Sequence, residues 1–143
     1  MTPAARVQAA LELCARIDAE KTGADTVIDG YFRSRRYAGA KDRRAIADRV
    51  YDVLRQRARL DWWIARTHDD HPPADSGRAR MVADLVLSGS ASANAVAELF
   101  NGSRHCPAAL DDRERALVDA LCGRALDDVA MPDWVRLEVP EWM

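Results

Sequence analysis

Apolar residues recur every three or four positions through most of the chain, and no run alternates with period two for long enough to make a strand. Val7, Ala10, Leu11, Cys14 and Ile17 keep this helical spacing behind Thr2-Pro3, a capping residue followed by proline at the first helical position. A first helix is predicted from about Pro3 to about Ala19. Gly23 ends the connection, and Asp25 or Thr26 caps a second helix that carries Val27, Ile28, Tyr31 and Phe32 on one side and stops near Arg36, before Gly39. The clearest helix spans Lys41 to about Arg57. Ile46, Val50, Val53 and Leu54 form its apolar stripe, and Arg44, Asp48, Tyr51 and Arg55 share the opposite face. Continuing it would bring Arg57 round onto the stripe, which places a break near Ala58 and a fourth helix holding Leu60, Trp63 and Ile64.

Thr67 to Gly77, with paired prolines and aspartates, reads as a loop. Ser76 can cap a fifth helix buried through Met81, Val82, Leu85 and Val86 and terminated by Gly89. A short sixth helix spans Ser92 to about Phe100 and ends at Asn101-Gly102. Asp111 or Asp112 then caps a seventh through Leu117, Val118, Leu121 and Cys122, closed by Gly123. The expected fold class is all-α, a bundle of about seven helices with no sheet, in one domain over 1–125. Residues 126–143 read as a linker. Trp134, Val135, Leu137, Val139 and Trp142, punctuated by Pro132 and Pro140, are too apolar for a solvated end, so further protein is expected downstream for them to pack on.

A chain of 143 residues can bury a core without disulfides or metal. With 48% hydrophobic and 31% charged residues it fits a folded helical protein rather than a disordered one. No apolar stretch reaches the length needed to cross a bilayer, and Met1-Thr2-Pro3-Ala4-Ala5-Arg6 lacks the basic-then-apolar layout of a secretory signal. The expectation is a cytoplasmic monomer without membrane contact. Cys14, Cys106 and Cys122 are odd in number and far apart, so they read as reduced thiols, Cys14 and Cys122 as small buried hydrophobes. His68 and His71 share an acidic loop with Asp69, Asp70 and Asp75, where no helix or strand fixes ligand geometry; no metal is expected.

The net charge of -2 hides an uneven distribution. Tyr31 to Arg66 holds eleven cations against four aspartates, a balance of +7; the remaining ten cations and nineteen carboxylates leave -9 elsewhere. Such asymmetry points to a polyanion-binding region on a domain otherwise kept soluble by acid. RNA requires cations for its phosphates and flat groups for unstacked bases. Arg33, Arg35 and Arg36 close the second helix beside Tyr37, Arg44 and Arg55 flank Tyr51 on the third, and Lys41 and Arg59 extend the set. The competing reading pairs these arginines with Asp48, Asp52 and Asp61 on a solvated surface; the excess positive charge favours RNA. Arg43 lies beside the apolar stripe, so its stem is expected at the core edge with its head on a carboxylate or helix end.

Lys41-Asp42-Arg43-Arg44-Ala45 through Arg59-Leu60-Asp61-Trp62-Trp63-Ile64 closely resembles the matching helices of the NusB-like domain in Sun/Fmu-type ribosomal-RNA cytosine-C5 methyltransferases. Tyr31-Phe32-Arg33-Ser34-Arg35-Arg36-Tyr37-Ala38-Gly39 and the tail from Met131 to Trp142 look like the same family. The resemblance implies an N-terminal helical domain that helps the enzyme hold ribosomal RNA ahead of its own C-terminal methyltransferase domain. That second domain would bind S-adenosylmethionine and carry the cysteine pair that attacks and releases the base. Neither the glycine-rich cofactor turn nor the cysteine pair occurs here, so no catalytic residue or bound cofactor is expected in this chain. Cys106-Pro107 imitates the catalytic Cys-Pro, but without those companions it reads as loop. By the same resemblance Arg6 falls where NusB-type domains carry RNA-contacting basic residues at the start of the first helix. Here that run is thinned to one arginine, which favours a looser, electrostatic grip.

Two other function classes compete. A protein-interaction module of NusB type, with the apolar tail taking a partner, would depend on Trp134 and Trp142 rather than on the arginines. A DNA-binding helix-turn-helix over Leu87 to Phe100, turning at Ser88-Gly89-Ser90-Ala91, is disfavoured because its recognition helix carries Glu98 and no lysine or arginine, so no DNA partner is expected.

Overall fold

Thr2 Oγ1 accepts a hydrogen bond from the Ala5 amide at 3.1 Å, and Pro3 opens α1, Pro3–Glu20. The chain continues through α2 (Ala24–Arg33), α3 (Ala40–Arg55), α4 (Arg57–Thr67), α5 (Ser76–Leu87), α6 (Ala93–Leu99) and α7 (Asp112–Leu121). This computed structural model describes residues 1–67 and 76–126. Over those residues the fold is all-α, seven helices and no strand, as the spacing of apolar positions predicts. His68, His71, Trp134 and Trp142, and the linker expected over 126–143 beyond its first residue, lie outside the described residues.

α5 forms the hub. Every residue from Met81 to Leu87 is buried, and the helix packs against α1, α3, α4, α6 and α7. A helix apolar nearly all round belongs in the interior, and the one buried side expected from sequence understates this. α1 packs chiefly on α3 and also on α2, α5 and α6. It therefore buries Leu13 completely, a residue off the stripe of Val7, Ala10 and Cys14. At the far end the chain stays docked: Leu126 donates its amide to Leu87 and accepts at its carbonyl from Trp63 Nε1, each at 3.3 Å.

The helix ends follow local chemistry, with corrections. Ser92 caps α6 by accepting from the Ala95 amide, and Asp111 with Glu114 forms a reciprocal capping box on α7. Gly89 and Gly123, at φ 74° and 81°, turn the chain after α5 and α7. α2 starts after Gly23, ahead of the expected Asp25 or Thr26 cap, and ends at Arg33 rather than near Arg36. There the Ser34 hydroxyl donates to the Tyr31 carbonyl at 3.0 Å and occupies an acceptor of the last turn. The α3–α4 break falls at Gln56 rather than Ala58, and the Gln56 and Leu60 amides keep their bonds to Asp52 and Gln56 across it. Ser76 is the first residue of α5 rather than its cap. Cys122 follows the last turn of α7 and is exposed, not buried; Cys14 is buried, and burial together with nearby Asp18 pushes its thiol up to about 11.

Candidate nucleic-acid interface

The expected site residues divide into two groups once the helices are packed. The Tyr51 hydroxyl, late in α3, donates to Asp25 at the start of α2, while Arg33 at the end of α2 shares a groove with Arg43 and Arg44 early in α3. The two helices therefore run in opposite senses, joined by the turn over 34–39. Ile28, Phe32 and Ala47 floor this groove of about 700 Å³, Arg33, Arg36, Arg43 and Arg44 rim it, and Asp29 is the one carboxylate among the described residues that line it. Arg33, Arg36 and Arg44 are exposed, and no hydrogen bond or ion pair to a described residue engages their side chains. Lys41, also exposed, lies one turn before Arg44.

Arg43 fixes the groove's edge. Its Nε donates to the Ala38 carbonyl at 2.9 Å, and its guanidinium carbon lies 5.9 Å from the Phe32 ring centroid. The acceptor is thus a loop carbonyl rather than the expected carboxylate or helix end. Ala38 is buried, so this bond clamps the turn onto α3.

Other members of the expected set have structural partners. Arg6 binds Asp42 through Nε at 2.8 Å and Nη2 at 2.7 Å, tying the start of α1 to the first turn of α3. That bond, with the N-terminal ammonium, holds the Asp42 carboxyl below its usual range. Arg55 pairs with Asp52 at 2.5 Å along α3, the intrahelical arrangement that the competing reading anticipates. Asp61, by contrast, pairs with Arg80 of α5 rather than with a neighbour in the basic segment. Tyr51 is half-buried against the core and spends its hydroxyl on Asp25, so it ties helices together instead of presenting a ring. Arg59 is half-buried on α4 and engaged in contacts of its own. Arg35 turns away from the groove and lies over Tyr31, its guanidinium carbon 3.8 Å from the ring centroid. Trp63 is buried in the core, and Trp62 is half-buried beneath Arg66.

Tyr37, noted in the sequence only as a neighbour, is 74% exposed and presents the free aromatic surface that Tyr51 does not. Its signal was present: it stands outside both helical stripes, in the turn before Gly39. Cys106 is half-buried in the α6–α7 connection, with Pro107 buried beside it, consistent with loop. Among the described residues no group of three His, Cys, Asp or Glu side chains gathers to hold a metal, and no helix is long and apolar enough to cross a membrane. No family model, curated protein or solved structure matches the chain.

Proposed function

We propose that this chain is an RNA-binding helical domain whose α2–α3 groove receives phosphates. More particularly, we infer that it is the RNA-holding front domain of a Sun/Fmu-type ribosomal-RNA cytosine-C5 methyltransferase, acting in the cytoplasm with its own C-terminal catalytic domain. The observation that carries the reading is the cluster of Arg33, Arg36 and Arg44, three guanidinium groups around one groove with no partner among the described residues. Such groups are weakly hydrated planar forks that match phosphate oxygens two at a time. The segments that resemble the methyltransferase family, 31–39 and 41–64, supply all four arginines of this groove, so both lines of support fall on the same side chains. S-adenosylmethionine, the cofactor of the whole enzyme, fits these residues poorly. Its sulfonium is a cation, and the groove offers four arginines against one carboxylate. No chemical step is therefore assigned to this domain.

Titration with a small-subunit ribosomal-RNA fragment, followed by amide chemical shifts, tests the reading. Shifts are expected between Phe32 and Ala47. Neutralising three phosphates implies an affinity that falls about 20- to 40-fold between 50 and 200 mM salt. Reversal of Arg33, Arg36 and Arg44 to glutamate should abolish the response, and Arg115→Glu on α7 should leave it. An absence of shifts at excess RNA would overturn the proposal.

A further inference from the structure

The turn over 34–39 separates two concavities. Arg33 and Arg36 line the α2–α3 groove; Arg35 and Tyr37 line a second hollow of about 760 Å³ between the start of α1 and residues 104–106 of the α6–α7 connection. Arg35 is held in place there. It lies over the Tyr31 ring, donates to Ser34 Oγ at 3.1 Å and approaches Glu12 at 3.9 Å. The Tyr31 hydroxyl also donates to Glu12, at 2.8 Å, so the only carboxylate side chain among the described residues lining the hollow is occupied internally.

The opposite wall is fixed by its backbone. The Gly102 amide donates to the Pro107 carbonyl at 2.9 Å, the Cys106 amide donates to Ser103 at 3.0 Å, and His105 takes a left-handed φ of 63° between them. This loop carries Arg104, which is exposed and has no hydrogen bond or ion pair to a described residue. The hollow thus combines a largely apolar lining, a presented tyrosine, a pre-ordered arginine and one with no partner among the described residues.

We propose that this hollow takes an unpaired base of the RNA whose backbone lies in the α2–α3 groove, the base stacking on Tyr37 while Arg104 and Arg35 meet its sugar-phosphate. The inference rests on the RNA reading above. A paired A-form helix hides its base faces and offers phosphate and ribose, so a duplex held by the groove alone would make no use of an exposed aromatic ring. An unstacked base gives that ring a partner, and stacking tolerates any base because every base has a π-face.

Two RNAs of equal length and charge test the idea: a hairpin with 2-aminopurine in its unpaired loop, and the matching full duplex. The intact chain is expected to bind the hairpin about tenfold more tightly than the duplex, with a change in the probe's fluorescence. Tyr37→Ala should erase that preference without changing duplex affinity, and Tyr37→Phe, which keeps the ring, should retain it. Arg104→Glu should weaken the hairpin alone. Equal affinity for the two RNAs, or equal losses in Tyr37→Ala and Tyr37→Phe, would overturn the base pocket while leaving the groove proposal intact. Binding of neither RNA would overturn both. Tyr37 is exposed, so circular dichroism of its variants should match the parent.

Discussion

Arg44 and Arg49 stand five residues apart on α3, and the fold treats them in opposite ways. Arg49 reaches Asp84 on the central helix at 2.6 Å, in a site where that carboxylate is only 4% exposed. Arg44 opens onto a groove with no ion pair to a described residue. The same division extends outward. Arg57 binds Asp18 at 2.6 Å, Arg80 forks onto Asp61 at 2.7 and 3.1 Å, and Arg78 forks onto Glu114 at 2.8 and 3.0 Å, each joining two helices. Arg33 and Arg36, at the α2–α3 turn, join no described residue. A charge taken into the interior must be paired to be tolerated, whereas an unpaired cation in solvent is available to phosphate. Local charge excess therefore marks the region, and the pairing of each cation separates the proposed surface from the arginines that hold the fold.

The sharpest way to break the comparison is at Arg49. Burial raises the Asp84 carboxyl above its usual range, while Arg49 pulls it back. Arg49→Ala strands that carboxylate and should cost about 3–5 kcal/mol in urea denaturation; replacing both partners by leucine-sized apolar groups should recover most of the loss. The pH dependence has a defined sign. A carboxyl whose folded pKa is raised favours the folded state below its ordinary value, and that contribution disappears as pH rises through the folded pKa. Losing Arg49 raises the folded pKa further, so the variant's deficit should shrink as pH is lowered from 7 towards 5. A deficit that does not change over this range would mean that Asp84 is not the group left stranded.

Neutralising the other population should have the converse effect. With Arg33, Arg36 and Arg44 all changed to glutamine, stability should stay within about 0.5 kcal/mol of the parent, because no partner among the described residues is lost. RNA affinity should fall about 100-fold, taking about 1 kcal/mol for each lost contact, and the logarithmic salt slope should drop by about 2 to 3. A large stability loss in this variant would show that these side chains support the fold after all.

The helices were legible because their stripes are simple: Ile46, Val50 and Val53 on α3, and Leu117, Val118 and Leu121 on α7, are buried as their spacing predicts. The surroundings of α5 were less legible, since a nearly continuous apolar run does not say how many neighbours share it. The site was legible as a region and not as a set of side chains. Arg6–Asp42 spans 36 positions and Arg49–Asp84 spans 35, and no local pattern reports pairing at that range. The early stop of α2 mattered most. The helix ends where the Ser34 hydroxyl bonds the Tyr31 carbonyl, and beyond it Arg35 lines the hollow on one side of the turn while Arg36 lines the groove on the other. Arg104 had no sequence signal, because only the folded α6–α7 loop brings it near Tyr37.

Arg6 offers a milder test. Its hydrogen bond, more than any other contact, keeps the Asp42 carboxyl below the usual range. A carboxyl depressed in this way stabilises the fold above its ordinary pKa, and the contribution is lost as pH falls through the folded value. Arg6→Gln should therefore lower the melting temperature at pH 7, and the gap to the parent should close on acidification below pH 4. Because Arg6 is already engaged, its loss should weaken RNA binding less than Arg36→Gln does. The reverse order would return the start of α1 to the RNA-binding surface.

Arg55 should give the smallest effect and the finest measure of where the interface ends. It pairs with Asp52 within one exposed turn, an arrangement worth about 0.3–0.5 kcal/mol at most. It also lies eleven residues beyond Arg44, about 16 Å along the helix, roughly two Debye lengths at physiological salt. Arg55→Ala should therefore change stability only slightly, and should change RNA affinity less than any single change at Arg33, Arg36 or Arg44. If Arg55→Ala instead matched Arg36→Gln in both affinity loss and salt slope, the RNA would have to run the length of α3. The division between paired and unpaired arginines would then fail as a guide to the surface, because an ion-paired arginine would be exchanging Asp52 for phosphate on binding.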